Sequence, residues 1–207
     1  MFLREPFEEK DIDKIISFIK SQNFATLVST GANSSPIASH LPLDVIDDPR
    51  AKLGVKMITH MAIGNPHLPL LAEGQEVMVI FLSNSNYISP SWFADQKSAP
   101  TQSHIAVHVY GKVRIVSEPD ELLKMMTHQV DTREKSMNGN WKIDNLGKSG
   151  IESRLSKISG VEINIDRVEA SFRLLQDESK ENIQGVLASG SLDADTRSKI
   201  QGENNVS

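Results

Sequence analysis

His104-Ile105-Ala106-Val107-His108-Val109-Tyr110-Gly111-Lys112-Val113-Arg114-Ile115-Val116 is the longest strand-like stretch of the chain, and its alternation decides the fold. At a period of two, Ile105, Val107, Val109, Val113 and Ile115 share one face and read as core. His104, Ala106, His108, Tyr110, Lys112 and Arg114 share the other, a polar and positively charged wall that suits solvent or a subunit contact. Upstream, residues 24–30, 37–45, 55–60 and 75–82 read as further strands joined by short connections, with Pro42 marking an edge, a bulge or a strand end. This succession of β segments in the first half of the chain predicts a small antiparallel barrel.

Helical patterns flank these strands. Ile12, Ile15, Ile16 and Ile19 recur at helical spacing within 10–21. Asn65-Pro66 has the form of a helix start, and Gly74 that of a stop. Ser117-Glu118-Pro119-Asp120 resembles a capping box ahead of Leu122, Met125, Met126 and Val130. A short helix is expected around 151–158, and Val161-Glu162-Ile163-Asn164-Ile165 alternates as a sixth, half-exposed strand. The predicted class is mainly β with flanking helices (α+β), built on a six-stranded antiparallel barrel. No linker interrupts it, so a single domain is expected over 1–192 with helical additions at about 117–158. A polar tail, 193–207, is expected to lack fixed structure.

Composition narrows the function classes. The 207 residues are 39% hydrophobic and 24% charged, ordinary for a globular protein. No segment approaches the roughly 20 apolar residues of a membrane span, and the N-terminus lacks the pattern of a signal peptide, so a cytoplasmic location is expected. The absence of cysteine removes disulfides, thiolate nucleophiles and cysteine metal sites. A net charge of -5 gives general nucleic-acid binding no support.

The aromatic residues are few, 5% of the chain, yet Phe81, Tyr87, Trp92 and Phe93 cluster around Asn86-Tyr87-Ile88-Ser89-Pro90-Ser91-Trp92-Phe93, followed by Lys97, Pro100 and Thr101. Flat rings, hydroxyl donors and a cation suit a planar anion such as flavin mononucleotide (FMN); the competing reading is a packed loop. No GxGxxG or GxxxxGK[ST] loop is present, so a phosphate here would be held by side chains and loop amides. Lys97, Ser89, Thr101 and the amides near Asn65 supply the charge and short donors an anion needs. Neither a GxSxG elbow nor metal-ligand spacing occurs. His104 and His108, four apart on a strand, stand roughly 13 Å from one another and do not share a metal.

Taken in order, these motifs resemble the PaiB-type FMN-binding negative transcriptional regulators of the split-barrel flavin-binding fold. The resemblance runs from Phe2 and Phe7 through Phe24-Ala25-Thr26-Leu27-Val28, Ser39-His40-Leu41-Pro42-Leu43, His60-Met61-Ala62 with Asn65-Pro66, and the Tyr87 to Thr101 segment. It continues through Ala106-Val107-His108-Val109-Tyr110-Gly111 to Ile158-Ser159-Gly160-Val161-Glu162-Ile163. It implies a homodimer of six-stranded split barrels with FMN in a groove at the dimer interface. The cofactor-binding set it implies is His40, Pro42, His60, Met61, Ala62, Asn65, Tyr87, Ser89, Trp92, Lys97 and Thr101.

The chain also departs from the family pattern. Gln102-Ser103-His104 replaces Trp-Asn-Tyr after Pro100-Thr101, and Ile63-Gly64 stands where members carry an arginine. Arg173-Leu174-Leu175-Gln176-Asp177 replaces Lys-Leu-Ser-Gln-Asn. Losing ring contacts and a charge-assisted bond predicts weak binding of FMN, binding of another flat anion in its place, or no ligand. A non-enzymatic flavin-sensing regulator is the implied function; the alternatives are a flavin-dependent oxidoreductase acting on a small molecule and a haem-binding split barrel. DNA is a partner by resemblance alone, since no helix-turn-helix is evident.

Overall fold

The computed structural model describes residues 1–206 of the chain. Its elements run β1 (Glu8–Glu9), α1 (Ile12–Ser21), β2 (Phe24–Thr30), β3 (Pro36–Pro42), β4 (Asp44–Asp47), β5 (Val55–Ala62), β6 (Glu76–Leu82), β7 (Asn86–Ile88) and β8 (Thr101–Val116). Then follow α2 (Pro119–Ser136), α3 (Gly147–Leu155), β9 (Ile158–Arg173), α4 (Lys180–Ala188) and α5 (Ala194–Asn204). They gather into two compact units interleaved along the sequence. The larger comprises Ile19–Ile80 and Val109–Val168; the smaller comprises Met1–Phe18, Phe81–His108 and the chain from Glu169 onward.

The larger unit holds an antiparallel sheet in the order β3-β2-β6-β8-β9-β5-β4. β3, at one end of that order, touches β5 near the other, and Thr59 Oγ1 donates to the Pro42 carbonyl at 2.6 Å across that contact. The sheet therefore curls on itself. Its inner face is the predicted alternation: Val109 and Val113 of β8 and Val161, Ile163 and Ile165 of β9 are all buried. Gly111 is required where β8 meets β9, because a Cβ there would lie 2.3 Å from the Asn164 carbonyl oxygen. The alternation slips at the end of β8: Val116, not Ile115, is buried, packed with Ile58 beneath Leu122, Met125 and Met126 of α2.

The mainly-β, antiparallel split-barrel class expected from sequence is the one observed, with nine strands in place of six. The expected strand over 37–45 divides into β3 and β4 with Leu43 between them, as Pro42 allowed. β9 is far longer than the expected 161–165, and Glu162 is buried rather than solvent-facing because Lys56 and Arg114 neutralise it. α2 begins without the expected capping box: Glu118 is the N-cap, with no side-chain bond, and Pro119 fills the first turn.

In the smaller unit, β7 pairs with the start of β8, and β1 pairs with the end of β9. The Phe18 and Phe172 rings meet edge-on at 5.7 Å. α4 and α5 are capped by Ser179 and Asp193, which accept the Asn182 and Thr196 amides. α5 occupies most of 193–207, the tail expected to lack structure. Its helix is polar by composition but starts with an Asp cap and buries Thr196 and Ile200, which suffices to dock it.

Candidate functional site

The predicted cofactor residues fall in both units. In the smaller unit, β7 places Tyr87 directly opposite Gln102 and Ile88 opposite Thr101. Ser89 caps a single 3-10 turn over Pro90–Trp92, with its hydroxyl 2.7 Å from that of Ser91. The aromatic cluster divides: Phe81 and Phe93 are core, whereas Tyr87 is 57% exposed and Trp92 half-buried. The packed-loop reading thus applies to two of the four rings. Lys97 is exposed and its ammonium meets no carboxylate among the described residues; its amide donates to Asp95 Oδ1 at 3.0 Å. That amide bond, aided by the Asn182 side chain, holds the Asp95 carboxyl below its usual range.

Residues that the sequence reading missed fix this segment. Asn86 Nδ2 donates to Asp193 Oδ2 at 3.0 Å and to Thr196 Oγ1 at 2.8 Å. The Asp95 amide donates to Asn182 Oδ1 at 3.3 Å, and Ser98 Oγ to Glu178 Oε2 at the same distance. Gly185 of α4 lies so near the loop that a Cβ there would be 2.1 Å from the Trp92 carbonyl oxygen. A glycine within a helix was the only signal for this in the sequence. Of the residues that replace the family's Trp-Asn-Tyr, Gln102 is exposed, Ser103 is buried and donates to the Arg173 carbonyl at 3.1 Å, and His104 turns back onto the Gln102 carbonyl.

In the larger unit, His40 shares a 2.9 Å hydrogen bond with Thr26 and stacks on Phe24, a ring that is 60% exposed. Pro42 is half-buried, and the Met61 side chain is core, so Met61 can offer a ligand only its main chain. Ala62, Ile63 and Gly64 are exposed, with open space around Gly64. Asn65 does not start an α-helix. Its side-chain Oδ1 accepts the His67 amide at 2.9 Å, and only a 3-10 turn over Leu68–Leu70 follows.

His60 is committed to α2. Gln129 donates from Nε2 to Asp44 Oδ2 at 2.9 Å, so its oxygen faces His60 Nδ1 at 3.0 Å and that nitrogen carries the proton. Arg133 pairs with the buried Asp44 carboxylate behind it.

His67, absent from the predicted set, is the most buried histidine, its two nitrogens 2.8 Å from Ser29 Oγ and 2.9 Å from Ser39 Oγ. Burial pushes its pKa below the ordinary 6.5. His108 shifts the same way, through burial and then the N-terminal ammonium, against the opposing pull of Glu169. A lowered base favours its neutral form in the fold, so the unfolded chain takes up the proton first and stability declines as pH falls through about 6.5. Thermal unfolding between about pH 7 and pH 5 is expected to show that decline, and a shallower one in His67→Gln. Equal slopes would remove His67 as a cause.

The wall predicted along β8 is not an open basic surface. Arg114 is neutralised by Glu121 and Glu162, and the Arg167 guanidinium covers the Tyr110 ring at 3.3 Å. No group of three potential metal ligands occurs among the described residues.

Over residues 1–167 the sequence matches the family described as "Putative FMN-binding domain". The chain belongs to that family. It is 31% identical over 189 residues to the protease synthase and sporulation protein PAI 2 of Bacillus subtilis, covering 90% of this chain and 87% of that one. The fold is shared with a conserved hypothetical protein of Mycobacterium tuberculosis, at a TM-score of 0.58 and 17% identity over 84% of this chain and 91% of that one. It is shared also with the FAD and heme binding protein of Mycobacterium smegmatis, at 0.57 and 12% over 88% and 80%. Flavin is the cofactor class of this family. The groups that α4 and α5 contribute to the Tyr87 segment lie beyond the matched span.

The exposed and half-buried side chains of each unit have chemistry that suits such a group. One unit offers the Tyr87 ring, the Ser89 and Ser91 hydroxyls and the Lys97 ammonium, the inventory of a flat ring system and its phosphate. The other offers the exposed Phe24–His40 pair and the open turn at Ala62 to Gly64.

Proposed function

We propose that this protein binds FMN and serves as a flavin-responsive regulator of the PaiB type. The carrying observation is that Lys97 is exposed, with no carboxylate on its ammonium among the described residues, inside the span that matches the FMN-binding family; in the same segment Ser91 is exposed and Ser89 and Thr101 are half-buried. Within the smaller unit, Lys97, Ser89 and Thr101 are assigned to the phosphate and Tyr87 and Trp92 to the ring system. Bound FMN supplies redox chemistry and a near-ultraviolet and blue absorbance.

A homodimer accompanies this reading. It is supported by exposed apolar side chains, Phe24 and Ile63 in one unit and Leu82 and Tyr87 in the other, and sedimentation tests it. A cytoplasmic location belongs to the same proposal. No helix among the described residues is long and apolar enough to cross a membrane. DNA contact is tested by gel shift, where the net charge of -5 leads to no binding of unspecific sequence.

The absorbance spectrum of the purified protein separates flavin from haem, and anaerobic bleaching by NADPH would select the oxidoreductase reading over the regulator. In a fluorescence titration Lys97→Ala is expected to weaken FMN by about 1–3 kcal/mol, the scale of a lost charged partner. Unchanged affinity overturns the assignment.

A further inference from the structure

Between α2, the connection after it, α3 and the start of β9, the larger unit carries an open hollow of about 610 Å³. Val130, Trp141, Ile143 and Leu155 form apolar walls, and Trp141 remains 38% exposed at its edge. Two cations, Arg154 and Lys157, complete the lining, and no carboxylate does. Neither cation is ion-paired among the described residues; Arg154 Nη1 donates only to the Gly150 carbonyl at 3.1 Å. Both side chains are exposed, whereas the half-buried Lys56, Arg114 and Arg133 of the same unit hold carboxylates. In the adjoining hollows Glu134 accepts the Trp141 amide at 3.0 Å, and Glu152 lines the other side of Leu155.

We propose that this hollow is a second ligand site, distinct from the flavin site, and that it takes a small organic acid: an aryl or alkyl carboxylate whose apolar body lies against Trp141 and whose carboxylate meets Arg154 and Lys157. The volume lies within the range of roughly 300–1,000 Å³ typical of small-molecule pockets. Walls this apolar disfavour a fully hydrated ion such as phosphate, which would lose its solvation without hydrogen-bonding partners on most sides. They suit an amphiphile with one charged end, because the apolar part gains from burial while the charge stays at the rim. His60 borders the hollow with its Nδ1 held by Gln129.

The test is calorimetric titration of the full chain, saturated with FMN, with phenylacetate, octanoate, the neutral phenylacetamide and inorganic phosphate. Saturable binding of a carboxylate, with phenylacetamide and phosphate weaker by roughly tenfold or more, is the expected result. The double variant Arg154→Ala/Lys157→Ala removes two exposed side chains and is expected to lose the preference for carboxylate over amide while unfolding at an unchanged temperature. A second variant, Val130→Trp, fills the hollow and is expected to abolish binding with the cations intact. Equal binding of acid and amide overturns the proposal. So does competition between carboxylate and FMN, which would make this the flavin pocket, or a change of oligomeric state in Lys157→Glu, which would make it a face for a second copy.

Discussion

Gly185→Ala is expected to weaken FMN by about 1–3 kcal/mol, a loss comparable to removing one of its charged partners outright. The added methyl would stand 2.1 Å from the Trp92 carbonyl oxygen and 3.3 Å from its carbon, both backbone atoms that no rotamer change can move. One side has to give. α4 is held by its Ser179 cap and by buried Ile183, Val186 and Leu187, whereas the loop around Trp92 is a single 3-10 turn. The loop therefore shifts, carrying Ser89 and Lys97 away from the phosphate position. Overpacking of this kind costs about 1–3 kcal/mol of stability, so the variant folds and can be titrated. A stability loss of that size with unchanged FMN affinity would show that the segment over 86–98 takes no part in binding.

Glu162→Ala is expected to cost about 3–5 kcal/mol of stability, the largest effect of any single substitution considered. Glu162 is 6% exposed and bridges Lys56 and Arg114 from the middle of β9. Without it Lys56, itself largely buried, keeps only Asp48 at 3.5 Å. The cost is that of leaving a buried charge inadequately paired, not the value of the pair itself. Glu121→Ala removes a partner of the same Arg114 at the surface, where the carboxylate is 45% exposed, and is expected to cost less than about 1 kcal/mol. Urea unfolding of both variants decides it. Equal losses would mean that burial is not what sets the energy.

The barrel strands were legible because their alternation is regular, and β8 above all. What escaped was structure whose signal is tertiary. β9 continues past Ile165 through Asp166, Arg167 and Glu169, charges that read as a strand's end until Tyr110 is seen to take Arg167. α5 escaped because one buried isoleucine in a polar run carries no period. Of the site, the residue types of the Tyr87 segment were legible and their exposure was not: Phe81 and Phe93 look like Tyr87 in sequence, and only packing separates them. His67 was invisible because Ser29 and Ser39 reach it from other strands.

The end of the family match at residue 167 has a practical meaning for anyone trimming this protein. A fragment cut there keeps every signature motif, including Tyr87 to Thr101, and discards Glu178, Asn182, Gly185, Asp193 and Thr196, the groups that hold that segment in place. It also drops the last residues of β9, the partners of Glu8 and Glu9. The recognisable part of the molecule and the part that holds the Tyr87 segment in place are different lengths of chain. Relatives that share the first while differing in the second are free to present the same Tyr-Ile-Ser-Pro-Ser-Trp-Phe letters in a differently tensioned loop.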